Sequence, residues 1–208
     1  MEDRLRQVLA GVLGDPSDTI YDTVKLWARN AVGASNIMRI KFGFVPLGLQ
    51  RTETIKVEAN TEERKPLYPI VDVPILIIDD GGSQKTVQVK SFDINEMLGT
   101  KMRALMQRTQ GRDLFDIWHA WDLSEKGSIP YAVDPKLTVH AFLHYVGLEG
   151  RGFSRREAET RLQNRLRKSS FRSDMKTMLR PGMAAFDAHQ AAEVIRAVFF
   201  EFLESDPI

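Results

Sequence analysis

Apolar and polar positions change their period along the chain. Leu5, Val8, Leu9 and Val12 recur at helical spacing, and Gly14-Asp15-Pro16 then stops the pattern. Residues 18–34 fit neither period cleanly and lean to helix. From Asn36 the period becomes two. "IMRIKFGFV" alternates, and "TIKVEAN" does the same. "VPILII" is a continuous apolar run, as expected of a short buried strand, and it ends in Asp79-Asp80-Gly81-Gly82, a hairpin-turn sequence. "KTVQVKSF" alternates again, so about four strands are expected before residue 92.

The period then lengthens. Asp93 is a good N-cap with Glu96 three residues on, so "DINE" predicts a capping box and a helix running to about Thr109. Gly111 is the expected break, after which "RDLFDIWHAWDL" takes up a second helix. "LTVHAFLHYVG", "SRREAETRLQNRLRKSS", "FRSDMKTML" and "DAHQAAEVIRAVFFEFL" continue the helical pattern, with Arg180-Pro181-Gly182 as the break before the last. Val194, Ile195, Val198, Phe199 and Phe202 mark that last helix as a core element. The expected class is α+β. A sheet-containing part (1–92) with a mixed sheet of about four strands precedes a helical part (93–208).

Chemistry concentrates where the two central helices meet. Lys101, Arg108 and Arg112 lie near one angular stripe of a helix, with Leu105 between them. A break at Gly111 moves Arg112 and Asp113 into the first turn of the next helix. Asp113 and Asp116 then stand one turn apart near a helix N-terminus, where carboxylates are electrostatically favoured. A run of charge is ordinarily a solvated face. Here the charges interleave with Leu105, Leu114, Phe115 and Trp118. That points to a corner holding buried Lys and Arg beside carboxylates, an arrangement suited to phosphates and a metal ion.

Bulk composition changes this picture little. Hydrophobic residues are 43% and charged residues 27% of 208, which is ordinary for a globular chain, and the formal net charge of +1 selects no partner. No apolar run is long enough to cross a membrane. The absence of cysteine excludes disulfides, zinc thiolates and a cysteine nucleophile, and fits a reducing cytoplasm. Charge is uneven locally. Residues 151–176 carry nine Lys/Arg against three Asp/Glu, with Arg161, Arg165 and Lys168 at helical spacing. The two readings are a solvated helix and a face for RNA backbone. His140 and His144 have the i, i+4 spacing of a zinc pair but lack a following glutamate and a third ligand, so a structural role is favoured. His119 and His189 stand alone.

The string Lys101-x-x-Ala104-Leu105-x-x-Arg108-x-x-x-Arg112-Asp113-x-x-Asp116 resembles the signature of the AbiEii/AbiGii nucleotidyltransferase toxins. These belong to bacterial type IV toxin–antitoxin systems of phage defence, within the DNA polymerase β-like nucleotidyltransferase superfamily. The resemblance extends through "IKVEANTEER" (55–64), "FDINEMLGTKMRALMQR" (92–108) and "FRSDMKTMLRPG" (171–182). It implies transfer of a nucleoside monophosphate from an NTP with Mg²⁺, in some members to the 3′ end of tRNA, and a winged-helix AbiEi-like antitoxin as partner. On this resemblance Lys101 contacts the triphosphate and Asp116 is the late aspartate of the catalytic pocket. Arg108, Arg112 and Asp113 bind phosphate and order the pocket. Glu58 falls where the superfamily places its third metal-ligating carboxylate.

The superfamily also carries a Gly-Gly or Gly-Ser turn followed by Asp-x-Asp, upstream of the region resembled. No match precedes Glu58, and "MEDRLRQVLAGVLG" resembles the helix that follows the motif. Gly82-Ser83 with Asp93-Ile94-Asn95 nearly fits by spacing alone. It is rejected because a strand lies where a helix is needed and because Asn95 is a poor substitute for an anionic Mg²⁺ ligand. Two expectations follow. One is a truncated or split nucleotidyltransferase with a missing N-terminal segment. The other is a catalytically inactive relative that binds nucleotide, RNA or antitoxin.

Overall fold

The structure is a computed structural model. It describes residues 7, 27–34, 37–44, 51, 53–60, 65–78, 81–150, 152–179, 182 and 185–204. The expected first helix lies outside the described residues except at Gln7, which is helical. The chain divides into two compact units, Met1–Lys65 and Pro66–Ile208. The β-to-α change of pattern at residue 92 therefore falls inside the second unit.

The first unit contains an antiparallel sheet in the order β1-β2-β3, with β1 Trp27–Ala34, β2 Ile37–Phe44 and β3 Glu53–Asn60. The helical leaning over 18–34 is thus corrected for 27–34. Trp27 faces Gly43 and Ala34 faces Ile37 across a ladder whose register shifts once, between Arg29 and Ala31. A ladder of interstrand hydrogen bonds outweighs a weak local preference for helix. On the other side of β2, Ile37 faces Asn60 and Phe44 faces Glu53. Five strands are described in two antiparallel sheets, where one sheet of about four was expected; the α+β class with a helical C-terminal part is as expected.

The second unit opens with the hairpin β4 (Val71–Ile78) and β5 (Gln84–Ser91), in which Val71 faces Ser91 and Ile78 faces Gln84. Gly82 in the turn region has φ +77, a conformation glycine adopts without strain. The expectation of a buried β4 is corrected. Ile75, Leu76, Ile77 and Ile78 are all exposed, Ile78 at 60%. A two-stranded ribbon has no layers of its own to cover both faces of an apolar strand.

Among the described residues six helices follow: α1 Ile94–Gln107, α2 Gly111–Glu125, α3 Pro135–Gly147, α4 Arg155–Leu166, the short α5 Ser169–Ser173 and α6 Ala188–Val198. Turns of 3-10 helix lie at Asp174–Thr177 and Phe200–Phe202. Their starts follow local chemistry. The Asp93 side chain accepts from Asn95 N, Asp134 from Lys136 N and Leu137 N, and Asp187 from His189 N and Gln190 N. Pro135 occupies the first turn of α3, where its missing N–H costs nothing. Gly99 lets α1 and α3 approach closely, since a Cβ there would lie 2.7 Å from the Ala141 Cβ.

The second half of the expected capping box does not form. Glu96 turns away from Asp93 into the interior, with 1% exposure. Its carboxylate accepts from Leu67 N (2.9 Å), Tyr68 N (2.8 Å) and the Tyr145 hydroxyl. A buried carboxylate needs such donors, and here they tie the segment before β4 to α1 and α3. The Tyr68 hydroxyl donates to Leu137 O at 2.8 Å, fastening the same segment to α3.

The core of this unit joins Met102 and Leu105 of α1, Leu114 and Ile117 of α2, Phe142 of α3, Leu162 of α4, Phe171 of α5 and Ile195 of α6. Phe199 and Phe200 complete it. The core role expected of the last helix holds for Ile195 and Phe199, whereas Phe202 is exposed, because the helix ends at Val198 and the 3-10 turn redirects the chain.

Candidate functional site

The opposed charges predicted around residues 101–116 meet at the corner between α1 and α2. Helix α1 ends at Gln107, and Arg108 leaves it in extended backbone. Gly111 is the first residue of α2, with Gln110 as its N-cap and no side-chain cap from that residue. A glycine is required here by close approach. A Cβ on residue 111 would lie 2.0 Å from Phe171 O and 3.1 Å from the Asp174 Cβ. The glycine that punctuates the sequence pattern thus does so by admitting another chain segment against the helix start.

Asp113 is the centre of the cluster and has 0% side-chain exposure. Arg108 grips it with two parallel bonds, Nε to Oδ2 at 2.8 Å and Nη2 to Oδ1 at 2.7 Å. Such a planar fork on a carboxylate is stronger and more directional than a single contact. Its hydrogen bonds to the Asp113 carboxylate push the Arg108 guanidinium above its usual range, against the opposing effect of burial. Lys101 reaches across the corner. Its Nζ lies 2.8 Å from Asp116 Oδ2 and 3.9 Å from Asp113 Oδ1. One turn of α2, Lys101 of α1 and Arg108 just past its end therefore form an alternating cluster of two cations and two carboxylates.

The expectation of buried cations is corrected. Asp113 is the buried member, while Lys101 and Asp116 are 40% and 38% exposed and Arg108 is 47% exposed. The long basic stems extend to solvent while their heads meet the carboxylates, as amphipathic side chains do. Lys101, Asp116 and Arg108 are accordingly the accessible members of the cluster around buried Asp113. Arg112 lies at the start of α2, where its Nη2 donates to Gln110 Oε1 at 2.7 Å.

Two elements grip the corner from outside. At the end of α1, Arg161 Nη1 and Arg165 Nη2 both donate to Met106 O at 2.7 Å, and Arg165 Nε donates to Arg108 O at 2.9 Å. Carbonyls left without partners at a helix C-terminus are natural sites for cations. Burial, with Arg161 nearby, holds the Arg165 guanidinium below the usual arginine range. At the start of α2, Arg112 N donates to Asp174 Oδ2 at 3.0 Å. Sequence reasoning gave no role to Asp174, although it lies inside the stretch "FRSDMKTMLRPG".

The other expected residues lie elsewhere. Of the basic stretch, Arg165 is buried and Arg161 half-buried, while Lys168 is exposed beyond the end of α4. Glu58 is on β3 in the other unit, 3.2 Å from Lys56 Nζ on the same strand face. His140 is exposed with its Nδ1 3.0 Å from the Tyr68 hydroxyl, and His144 is exposed one turn on. His119 stacks on Phe115 at 5.0 Å between ring centres. His189 is exposed at the start of α6.

A hard divalent cation takes several oxygen ligands. Among the described residues no three of His, Asp or Glu come together in a way that would hold one. Asp113 and Asp116 are each engaged by a cation, so by themselves they do not fit a Mg²⁺ site. What the corner offers is an ammonium and guanidinium groups on a rigid helix pair, suited to a phosphate that competes with the carboxylates.

No described helix is long and apolar enough to cross a membrane. Searches of curated proteins and of solved structures give no match to the chain. The family model described as "Nucleotidyl transferase AbiEii toxin, Type IV TA system" matches residues 1–197, which include every residue of the α1–α2 corner and both of its outer grips. The chain therefore belongs to the AbiEii family of nucleotidyl transferase toxins of type IV toxin–antitoxin systems.

Proposed function

We propose that the α1–α2 corner binds the triphosphate of an NTP for transfer of its nucleoside monophosphate to an acceptor hydroxyl, with the 3′ end of tRNA as the acceptor class. The observation that carries this reading is the partly exposed Lys101–Asp116 pair beside buried Asp113, which the Arg108 fork holds in place. A phosphate oxygen competes with the Asp116 carboxylate for the Lys101 ammonium. Arg112, on the first turn of α2, adds a second cation beside the positive end of a helix. Once Lys101 turns to phosphate, Asp116 loses its counter-ion. It is then free to accept the proton of the attacking hydroxyl as the new oxygen–phosphorus bond forms and pyrophosphate leaves. Asp113, locked by Arg108, orders the turn and stays out of the exchange.

Mg²⁺ belongs to this reading as the companion ion of the NTP. Lys168, exposed beyond the end of α4, is kept as a candidate contact for the tRNA backbone. A cytoplasmic setting, a role in phage defence and a winged-helix antitoxin partner follow from the same reading. A second reading, a catalytically inactive relative that binds nucleotide, RNA or antitoxin, is favoured by the pairing itself. Both carboxylates of the corner are compensated by cations, which suits phosphate binding without turnover.

The test is incubation of the chain with labelled NTPs, Mg²⁺ and total tRNA, beside Lys101→Ala and Asp116→Asn. Label transfer that Lys101→Ala abolishes supports transfer at this corner. Transfer that survives Lys101→Ala refutes the role of Lys101. Saturable nucleotide binding without transfer, lost in Lys101→Ala, selects the second reading.

A further inference from the structure

We infer that Asp174 and Arg165 are positioning residues, forming a two-point clamp that sets the distance between Lys101 and Asp116. The inference rests on the corner being the phosphate-binding site. Lys101 rides on α1 and Asp116 on α2, so their 2.8 Å separation depends on how the two helices are held. Nothing within the α1–α2 connection caps α2, because Gln110 provides no side-chain bond. The cap comes instead from Asp174, 62 residues downstream, whose Oδ2 accepts the Arg112 N–H at 3.0 Å. Beside it the Phe171 carbonyl occupies the space a Cβ on residue 111 would fill. At the other end of the corner, Arg165 ties the carbonyls of Met106 and Arg108 to α4 through two bonds.

The charges suit their places. A carboxylate stands at the positive end of α2, and a guanidinium at the negative end of α1. Asp174 bonds a backbone amide, and Arg165 bonds backbone carbonyls. Both therefore act through the helices, and displacement of a site by about 1 Å from a remote change can cost on the order of a hundredfold in function.

The experiment compares the full chain with Asp174→Ala, Asp174→Asn and Arg165→Lys, each checked for folding by circular dichroism. Two quantities are read on the folded protein. One is the affinity for Mg²⁺·ATP by calorimetry. The other is the rate of Lys101 acetylation by acetic anhydride, mapped by mass spectrometry against exposed Lys136. Asp174→Ala is expected to weaken ATP binding by roughly tenfold or more and to speed Lys101 labelling several-fold, with Lys136 unchanged. Asp174→Asn, whose amide oxygen still accepts the Arg112 N–H, is expected to restore both. Arg165→Lys keeps charge but loses the fork, and is expected to fall between.

Wild-type labelling in folded Asp174→Ala overturns the clamp, and so does equal loss in the Ala and Asn variants. Should Asp174→Ala fail to fold, Asp174→Asn and Asp174→Glu carry the comparison. Asn at wild-type values with Glu displaced supports the clamp, and both at wild-type values overturn it. A wild-type chain that binds no ATP removes the nucleotide reading, while the labelling result still decides whether the clamp holds the pair.

Discussion

Replacing Gly111 with alanine probes the corner by the smallest possible change. In an ordinary helix the substitution stabilises, by about 1 kcal/mol from helix propensity and reduced freedom of the unfolded chain. At residue 111 the added Cβ would lie 2.0 Å from Phe171 O, so backbone must move. Overpacking of that kind costs about 3 kcal/mol. Any movement of residues 171–174 also lengthens the bond from Arg112 N to Asp174, and losing a helix cap costs about 1 kcal/mol. The net expectation is destabilisation of about 3 kcal/mol. With a urea slope of about 2 kcal/mol/M, the unfolding midpoint falls by about 1.5 M. Gly147, the last residue of α3, has nothing within 4 Å of the position an added Cβ would take, and its alanine variant should raise the midpoint slightly. Opposite signs at the two glycines are the signature of the close approach. A midpoint for Gly111→Ala at or above wild type would refute it.

Three further outcomes are expected. Arg108→Leu removes the fork from buried Asp113 and leaves it Lys101, at 3.9 Å, as an ionic partner. Because Arg108 is half exposed, the cost is set at about 2 kcal/mol in thermal unfolding, and Arg108→Leu/Asp113→Leu should recover part of it. Glu96→Ala strands the amides of Leu67 and Tyr68, so it should lower stability by about 2 kcal/mol and speed amide exchange at both, whereas Tyr145→Phe should cost about 1 kcal/mol. Asp187 accepts from Gln190 N and His189 N, and these bonds hold its carboxyl below the usual range. A folded pKa below the unfolded one means that its contribution is present above about pH 3.9 and is lost as pH falls through the folded value. Asp187→Asn should therefore flatten the acid limb of a stability–pH curve, and an unchanged limb would refute the capping role.

What the sequence made legible were features set within one turn or one strand. The cap at Asp93, the break near Gly111 and the alternation of β2, β3 and β5 are local chemistry, and they are where they were expected. Features set by distant neighbours were not legible. Residues 27–34 are a strand because β2 lies beside them. Glu96 leaves its capping box because the amides of Leu67 and Tyr68 and the Tyr145 hydroxyl are better partners for a buried carboxylate. The apolar run of β4 correctly signalled a strand and wrongly signalled burial, since exposure depends on what packs against the ribbon.

The same distinction explains the basic stretch after residue 150. Charge counting left Arg161, Arg165 and Lys168 between a solvated helix and a face for RNA backbone. Arg161 and Arg165 meet an internal partner, the carbonyl end of α1, at 2.7 Å. Periodicity along α4 cannot separate these uses, because helix carbonyls and phosphates attract a guanidinium through the same electrostatics. The corner's own charges were legible for a converse reason. Lys101 and Asp116 are separated by a single short connection, so a helix break between them is enough to turn two sequence stripes toward each other. Asp174 lies on the far side of that boundary. Its motif makes chemical sense only once α2 is seen to start without a cap of its own, which binds the downstream "FRSD" to the upstream "QGRD" as two halves of one joint.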